Sequence, residues 1–195
     1  SSGGHINIFR FVMMLQNAGF QNRIYIINPL AFHSSEECRA FLKRNYVLDL
    51  DEIEVSIDIN EMSFAHATIA TAWQTAYTVR DFDNTISKFY FVQDFEPYFF
   101  AVGSQYVFAE NTYKFGFRGL TAGDWLKDKL REEYGMKTES FSFSYNRELY
   151  APKEKRDDVP RIFLYVSPVT ERRNFELGLL AVQEIAKRRP DVEVL

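Results

Sequence analysis

The chain has 195 residues, of which 46% are hydrophobic and 16% aromatic, and a net charge of −4. That length suits one domain, or one domain plus part of a second, with enough apolar side chains for a substantial core. The charge balance leaves no electrostatic footprint for nucleic acid. The single cysteine, Cys38, excludes an intrachain disulfide and a multi-cysteine zinc site, and no apolar run approaches the roughly 20 residues that span a bilayer.

Along the chain, helix and strand patterns alternate. Ile6, Phe9, Met13 and Gln16 share one helical face, and Gly19 is placed to end that helix. Residues 23–27 form a short apolar strand closed by Asn28-Pro29, and residues 34–44 a helix capped by Ser34 or Ser35 with Glu36 and Glu37 in its first turn. Strands are predicted at 54–57 and 67–72, a helix at 73–80, and the clearest strand at 88–93. An aromatic-rich helix over 98–113 follows, then a strand at 115–118. Thr121-Ala122-Gly123-Asp124 resembles a capping box ahead of a helix carrying Leu126, Leu130 and Tyr134, and a strand is expected at 140–145.

Residues 151–160 are charged and proline-bracketed, the composition of a linker. After it, a strand at 161–166 and a helix stripe of Phe175, Leu179, Val182 and Ala186 read as the first unit of a second α/β domain. About 35 residues cannot bury a core by themselves. With no initiator methionine at Ser1 and a strand pattern still running at Leu195, the chain reads as a piece of a longer protein. Strand–helix alternation favours a parallel sheet with helices on both faces: an α/β, Rossmann-like first domain over 1–150 and a truncated second one over 161–195.

Three groups of residues could carry chemistry. Gly3-Gly4-His5-Ile6-Asn7 precedes the first helix, where glycines allow close backbone approach and free N–H groups favour anions; a flexible terminus is the plain alternative. Gln93, Asp94 and Glu96 follow the clearest strand, where open α/β sheets hold ligands. Asp94 and Glu96 could bind sugar hydroxyls or act as acid and base, or could simply complement the helix opened by Pro97. Arg172 and Arg173 near the start of the last helix oppose its dipole, a conflict that a bound diphosphate would remove; a solvated face shared with Glu171 and Glu176 would account for them too. His5, His33 and His66 lack metal spacing, no G-x-S-x-G elbow supports a serine nucleophile, and no G-x-G-x-x-G fingerprint supports nicotinamide binding.

Taken together, Gly3-Gly4-His5-Ile6-Asn7-Ile8-Phe9-Arg10, Gln93-Asp94-Phe95-Glu96-Pro97, the segment 119–126 and the segment 168–178 resemble the WsaF-like rhamnosyltransferase family. That family is similar to the family-four glycosyltransferases of GT-B fold. The resemblance implies an acceptor domain over 1–150 with its first strand ahead of residue 1, a linker at 151–160, and the start of a donor domain from 161. It implies a nucleotide-sugar donor, expected to be dTDP-rhamnose, a glycan acceptor of a bacterial surface polysaccharide, and no metal or other cofactor. Gly3, Gly4, His5, Asn7, Gln93, Asp94 and Glu96 would then line the substrate side, and Arg172 and Arg173 would meet the diphosphate. Ser167-Pro168 stands where related donor domains often carry a basic residue. A cytoplasmic location is expected, with peripheral membrane association and a homodimer left open, and the piece alone is expected to be inactive. The alternative is a non-catalytic glycan-binding or scaffolding module.

Overall fold

A computed structural model describes residues 3–28, 31–46, 50–142, 145, 147, 150–152, 159–165, 168 and 171–195. The chain forms two compact units, residues 1–94 with 111–141 and residues 95–110 with 142–195.

The first unit is built on four parallel strands, β3 (Ala65–Ala70), β4 (Thr85–Val92), β5 (Arg118–Ala122) and β6 (Lys137–Phe141), in the order β3-β4-β5-β6. Helices α1 (Gly3–Asn17), α3 (Trp73–Asp81) and α5 (Asp124–Tyr134) flank it. Successive side chains on a strand point to opposite faces, and Tyr90 and Phe91 of β4 show the consequence. Tyr90 is fully buried and stacks on Tyr113 at 5.8 Å, which meets Tyr134 of α5 at 5.4 Å. Phe91 points the other way, stacking on Phe11 of α1 at 5.1 Å and Phe141 of β6 at 4.9 Å. With helices on both faces of a parallel sheet, the architecture is Rossmann-like α/β, as the alternation predicts.

A second parallel pair, β1 (Arg23–Tyr25) and β2 (Glu54–Ser56), closes over α2 (Ser35–Tyr46) around Phe9, Cys38, Leu42, Leu50, Ile53 and Val55. Ser34 caps α2, its hydroxyl accepting from the Glu37 amide at 3.1 Å. Helix α1 ends in a Schellman motif: Gly19 has φ +87°, the Phe20 amide donates to the Leu15 carbonyl at 3.0 Å, and the Gly19 amide to Gln16 at 2.9 Å.

The structure differs from the sequence reading in several places. The strand expected at 115–118 lies at Arg118–Ala122, because Phe115 ends a 3-10 turn over Thr112–Lys114 and Gly116 is left-handed at φ +79°. A Cβ on Gly119 would sit 2.9 Å from the Thr138 side chain, so this glycine lets β5 and β6 pack closely. The capping box at 121–124 does not form: Thr121 belongs to β5, and Gly123, at φ +86°, is the N-cap of α5. Asp124 instead accepts from Ser140 Oγ and Lys127 Nζ, each at 2.6 Å. The last strand of this unit is Lys137–Phe141 rather than 140–145, and Phe143 and Ser144 lie outside the described residues.

In the second unit, the helix expected over 98–113 is broken. A 3-10 turn, Glu96–Phe99, precedes extended backbone at Phe100 (φ −126°, ψ 149°), and α4 runs only from Ser104 to Asn111. Strands β7 (Arg161–Ile162) and β8 (Glu193–Val194) pair in parallel around α6 (Phe175–Arg188), the predicted strand–helix–strand unit. Arg161 Nε donates to the Glu193 carboxylate at 2.7 Å across that pair. Helix α6 buries none of its residues, and Leu177 and Leu180 stand 65% and 61% exposed. Of the proposed linker, residues 153–158 lie outside the described residues.

Candidate functional site

The carboxyl end of β4 and the start of α1 meet in the first unit, and one side chain joins them. Gln93 follows the last residue of β4 and is half-buried. Its Nε2 donates to the Gly4 carbonyl at 3.1 Å, while its Oε1 accepts from Asn7 Nδ2 at 3.3 Å. Both halves of the amide are therefore engaged, which sets its orientation. Gly3 and Gly4 lie within α1 rather than in a loop ahead of it, forming its first turn. The first N–H groups of a helix have no intrahelical acceptor, and the first turn of α1 carries no acidic residue to complement its dipole. This is an end of a helix suited to a sugar hydroxyl or an anionic oxygen.

His5 lies on the exposed side of that turn. Partial desolvation of its ring holds its pKa below the ordinary imidazole value of 6.5, so it is neutral at pH 7 and serves as a hydrogen-bonding group rather than a charge. The unfolded chain therefore protonates first as pH falls, so His5 costs no stability above about pH 6.5 and opposes folding progressively below it. An NMR titration of the His5 ring will give a midpoint below 6.5; a midpoint at or above it contradicts the desolvated setting.

Asp94 follows in a bend, half-buried, and Glu96 opens the 3-10 turn of the second unit and is buried at 6% exposure. Both already interact with surrounding protein. The extended geometry that would point the two carboxylates the same way ends at Phe95, the residue capping that turn.

Arg172 and Arg173 do not occupy the first turn of α6. They form a separate 3-10 turn, Glu171–Arg173, and Asn174, left-handed at φ +49°, caps the helix after them. Glu176 is the acidic residue of the first helical turn, so the expected conflict with the dipole is relieved by the chain itself. Each guanidinium lies over an aromatic ring in the same unit, Arg172 over Phe99 at 4.4 Å and Arg173 over Tyr165 at 4.6 Å. Phe99 and Tyr165 are the residues that sequence reasoning missed. Phe99 reads as helix core within an aromatic run, yet it is 43% exposed. Pro168 is exposed, while its neighbour Ser167 lies outside the described residues.

Among the described residues, no group of three or more His, Cys, Asp or Glu could hold a metal ion, and no helix is long and apolar enough to cross a membrane. Cys38 is buried, which raises its thiol pKa, and it lies in the α2 core.

No family model matches the chain. Over 140 residues it is 35% identical to the O-antigen biosynthesis protein RfbC of Myxococcus xanthus. The match covers 71% of this chain and 11% of that protein, so the chain corresponds to a small part of its relative.

Proposed function

We propose that this chain is part of a glycosyltransferase that builds a bacterial surface polysaccharide. Residues 1–150 would supply the acceptor side, 151–160 the linker and 161–195 the start of the donor side. The observation that carries the reading is the Asn7–Gln93–Gly4 network, which ties a helix N-terminus to the carboxyl end of a parallel strand. Ligands of open α/β sheets lie outside those strand ends. The relative's role in O-antigen biosynthesis supports a surface glycan as product.

The donor is a nucleotide sugar, dTDP-rhamnose on the family resemblance. In such a transfer the bond between the sugar's anomeric carbon and the diphosphate oxygen breaks, a bond to the acceptor oxygen forms, and the acceptor's hydroxyl proton passes to the leaving diphosphate or to water. The diphosphate leaves with two or more negative charges, and preorganised donors that meet developing charge supply the largest share of catalysis. The first-turn amides of α1 in the first unit, and separately the forked guanidinium of Arg172 or Arg173 in the second, have chemistry suited to such a charge, with no metal called for. Gly3, His5, Asn7, Asp94 and Glu96 would contact sugar hydroxyls. No residue is assigned as the base.

The test is titration of the isotope-labelled chain, and of the longer protein containing it, with dTDP-rhamnose, a UDP-sugar and a rhamnose-containing oligosaccharide. Saturable shifts at the Gly4, Asn7 and Gln93 resonances are expected with at least one of them. Absence of response to all three, in both proteins, refutes the transferase reading.

A further inference from the structure

The amino-terminal end of the first unit's sheet carries a separate feature. Arg118 and Lys137 stand level with Phe89 of β4 in the register, so at about 3.3 Å per residue their backbones lie roughly 13 Å from Gln93 along the strand. Two contiguous grooves of about 370 and 380 Å³ open there and share Gly116, Phe117 and Arg118. The first is lined by Lys88 and Arg118, the second by Lys114, Arg118 and Lys137. Neither lining includes a carboxylate, although the chain holds 27 acidic residues against 23 basic ones.

Arg118 and Lys137 are register partners on adjacent parallel strands, so both side chains leave the same face, about 4.8 Å apart at the backbone. Like charges side by side on a sheet are destabilising. A compensating acid would remove the cost, but among the described residues neither cation has an ion pair, and Glu139 on the same face bonds to neither. Lys114 lies 5.9 Å from the centroid of the Tyr134 ring, which holds a third cation at the rim without neutralising it. Lys88 differs: it donates to the Arg80 carbonyl at 2.6 Å and faces Asp83 at 3.8 Å. The uncompensated charge is therefore concentrated in the second groove, whose rim at Gly116 and Gly135 carries no side chain to obstruct it.

We infer that this groove is an anion site for a phosphoryl group, either soluble or carried on a lipid headgroup. Arg118 offers a planar fork for two oxygens, Lys137 offers a mobile point charge beside it in the register, and Lys114 offers another at the groove's rim over Tyr134. An anion bridging Arg118 and Lys137 turns their repulsion into shared attraction, which accounts for two like charges at one level of the ladder. The inference rests on the first unit alone and stands or falls independently of sugar transfer.

The experiment compares the chain with Arg118→Gln/Lys137→Gln and with a control of equal net charge, Arg44→Gln/Lys187→Gln. One arm is calorimetric titration with inorganic pyrophosphate. The other is co-sedimentation with vesicles of equimolar phosphatidylglycerol and phosphatidylcholine, against phosphatidylcholine alone. Binding is expected in at least one arm, weakening with salt. At roughly fivefold per basic residue, the groove variant should lose on the order of 25-fold in affinity while the control loses little. Response in the pyrophosphate arm alone assigns a soluble ligand; response in the vesicle arm alone assigns a lipid headgroup. The groove variant should also melt no lower than wild type at low salt, because a like-charge pair has been removed. Should it fail to fold, Lys114→Gln alone serves. No binding in either arm, or equal losses in the groove and control variants, overturns the inference.

Discussion

Tyr90→Ala will destabilise the first unit by about 3–5 kcal/mol, the range for deleting a large buried aromatic. Tyr90 has no exposed surface, and its ring is one layer of a stack through Tyr113 to Tyr134 that fastens α5 and the Thr112–Lys114 turn to the central strand. Removing the ring leaves a cavity between sheet and helices that a close-packed interior cannot refill. Tyr90→Phe keeps the stack and loses only the hydroxyl, at a cost of about 1 kcal/mol. Urea denaturation of the two variants, with unchanged m-values, checks both figures. A Tyr90→Ala cost under about 1 kcal/mol means the stack does not hold this face together. Strand β4 also delivers Gln93, so heating Tyr90→Ala should erase any ligand response at Gln93 at a lower temperature than in wild type.

Gln93→Leu removes both hydrogen bonds that join the start of α1 to the end of β4. A stability loss of about 1–3 kcal/mol is expected, since the Gly4 carbonyl and the Asn7 amide each lose a partner. On the proposed function, affinity for sugar ligands falls roughly 10- to 100-fold, because the helix end is no longer held against the strand end. Gln93→Glu separates the two bonds: the carboxylate still accepts from Asn7 but repels the Gly4 carbonyl. A double-mutant cycle of Asn7→Ala with Gln93→Ala should show a coupling of about 0.5–1.5 kcal/mol in denaturation. Zero coupling would show that the contact contributes nothing in solution. Loss of stability with ligand affinity intact would make Gln93 a structural clamp and nothing more.

Tyr90 and Gln93 stand close together at the end of one strand, and they separate architecture from recognition. Tyr90 faces one side of the sheet, fully buried. Gln93 sits where the strand has ended and its side chain is free to turn toward the helix, half-buried among polar partners. Burial decides the first role and hydrogen bonding the second.

Local rules alone determined the alternation of strand and helix, the end of α1 at Gly19, the start of α2 at Ser34 and the strand running up to Gln93. Each depends on near neighbours in the chain: a glycine free to take φ +87°, a hydroxyl one turn from an amide, an apolar run stopped by polar residues. Periodicity could not settle the 115–122 region, where the apolar run Phe115–Phe117 is less decisive than Gly119, whose absent Cβ admits Thr138 from the next strand. Only the tertiary structure decided that Gln93 meets Gly4 and Asn7, 89 and 86 positions away in the chain. The same holds for Arg172 over Phe99, and for Arg118 beside Lys137 in the register. These contacts join residues far apart along the polypeptide. Composition and spacing report which chemistry a chain possesses, while strand order and register decide which of those groups stand together.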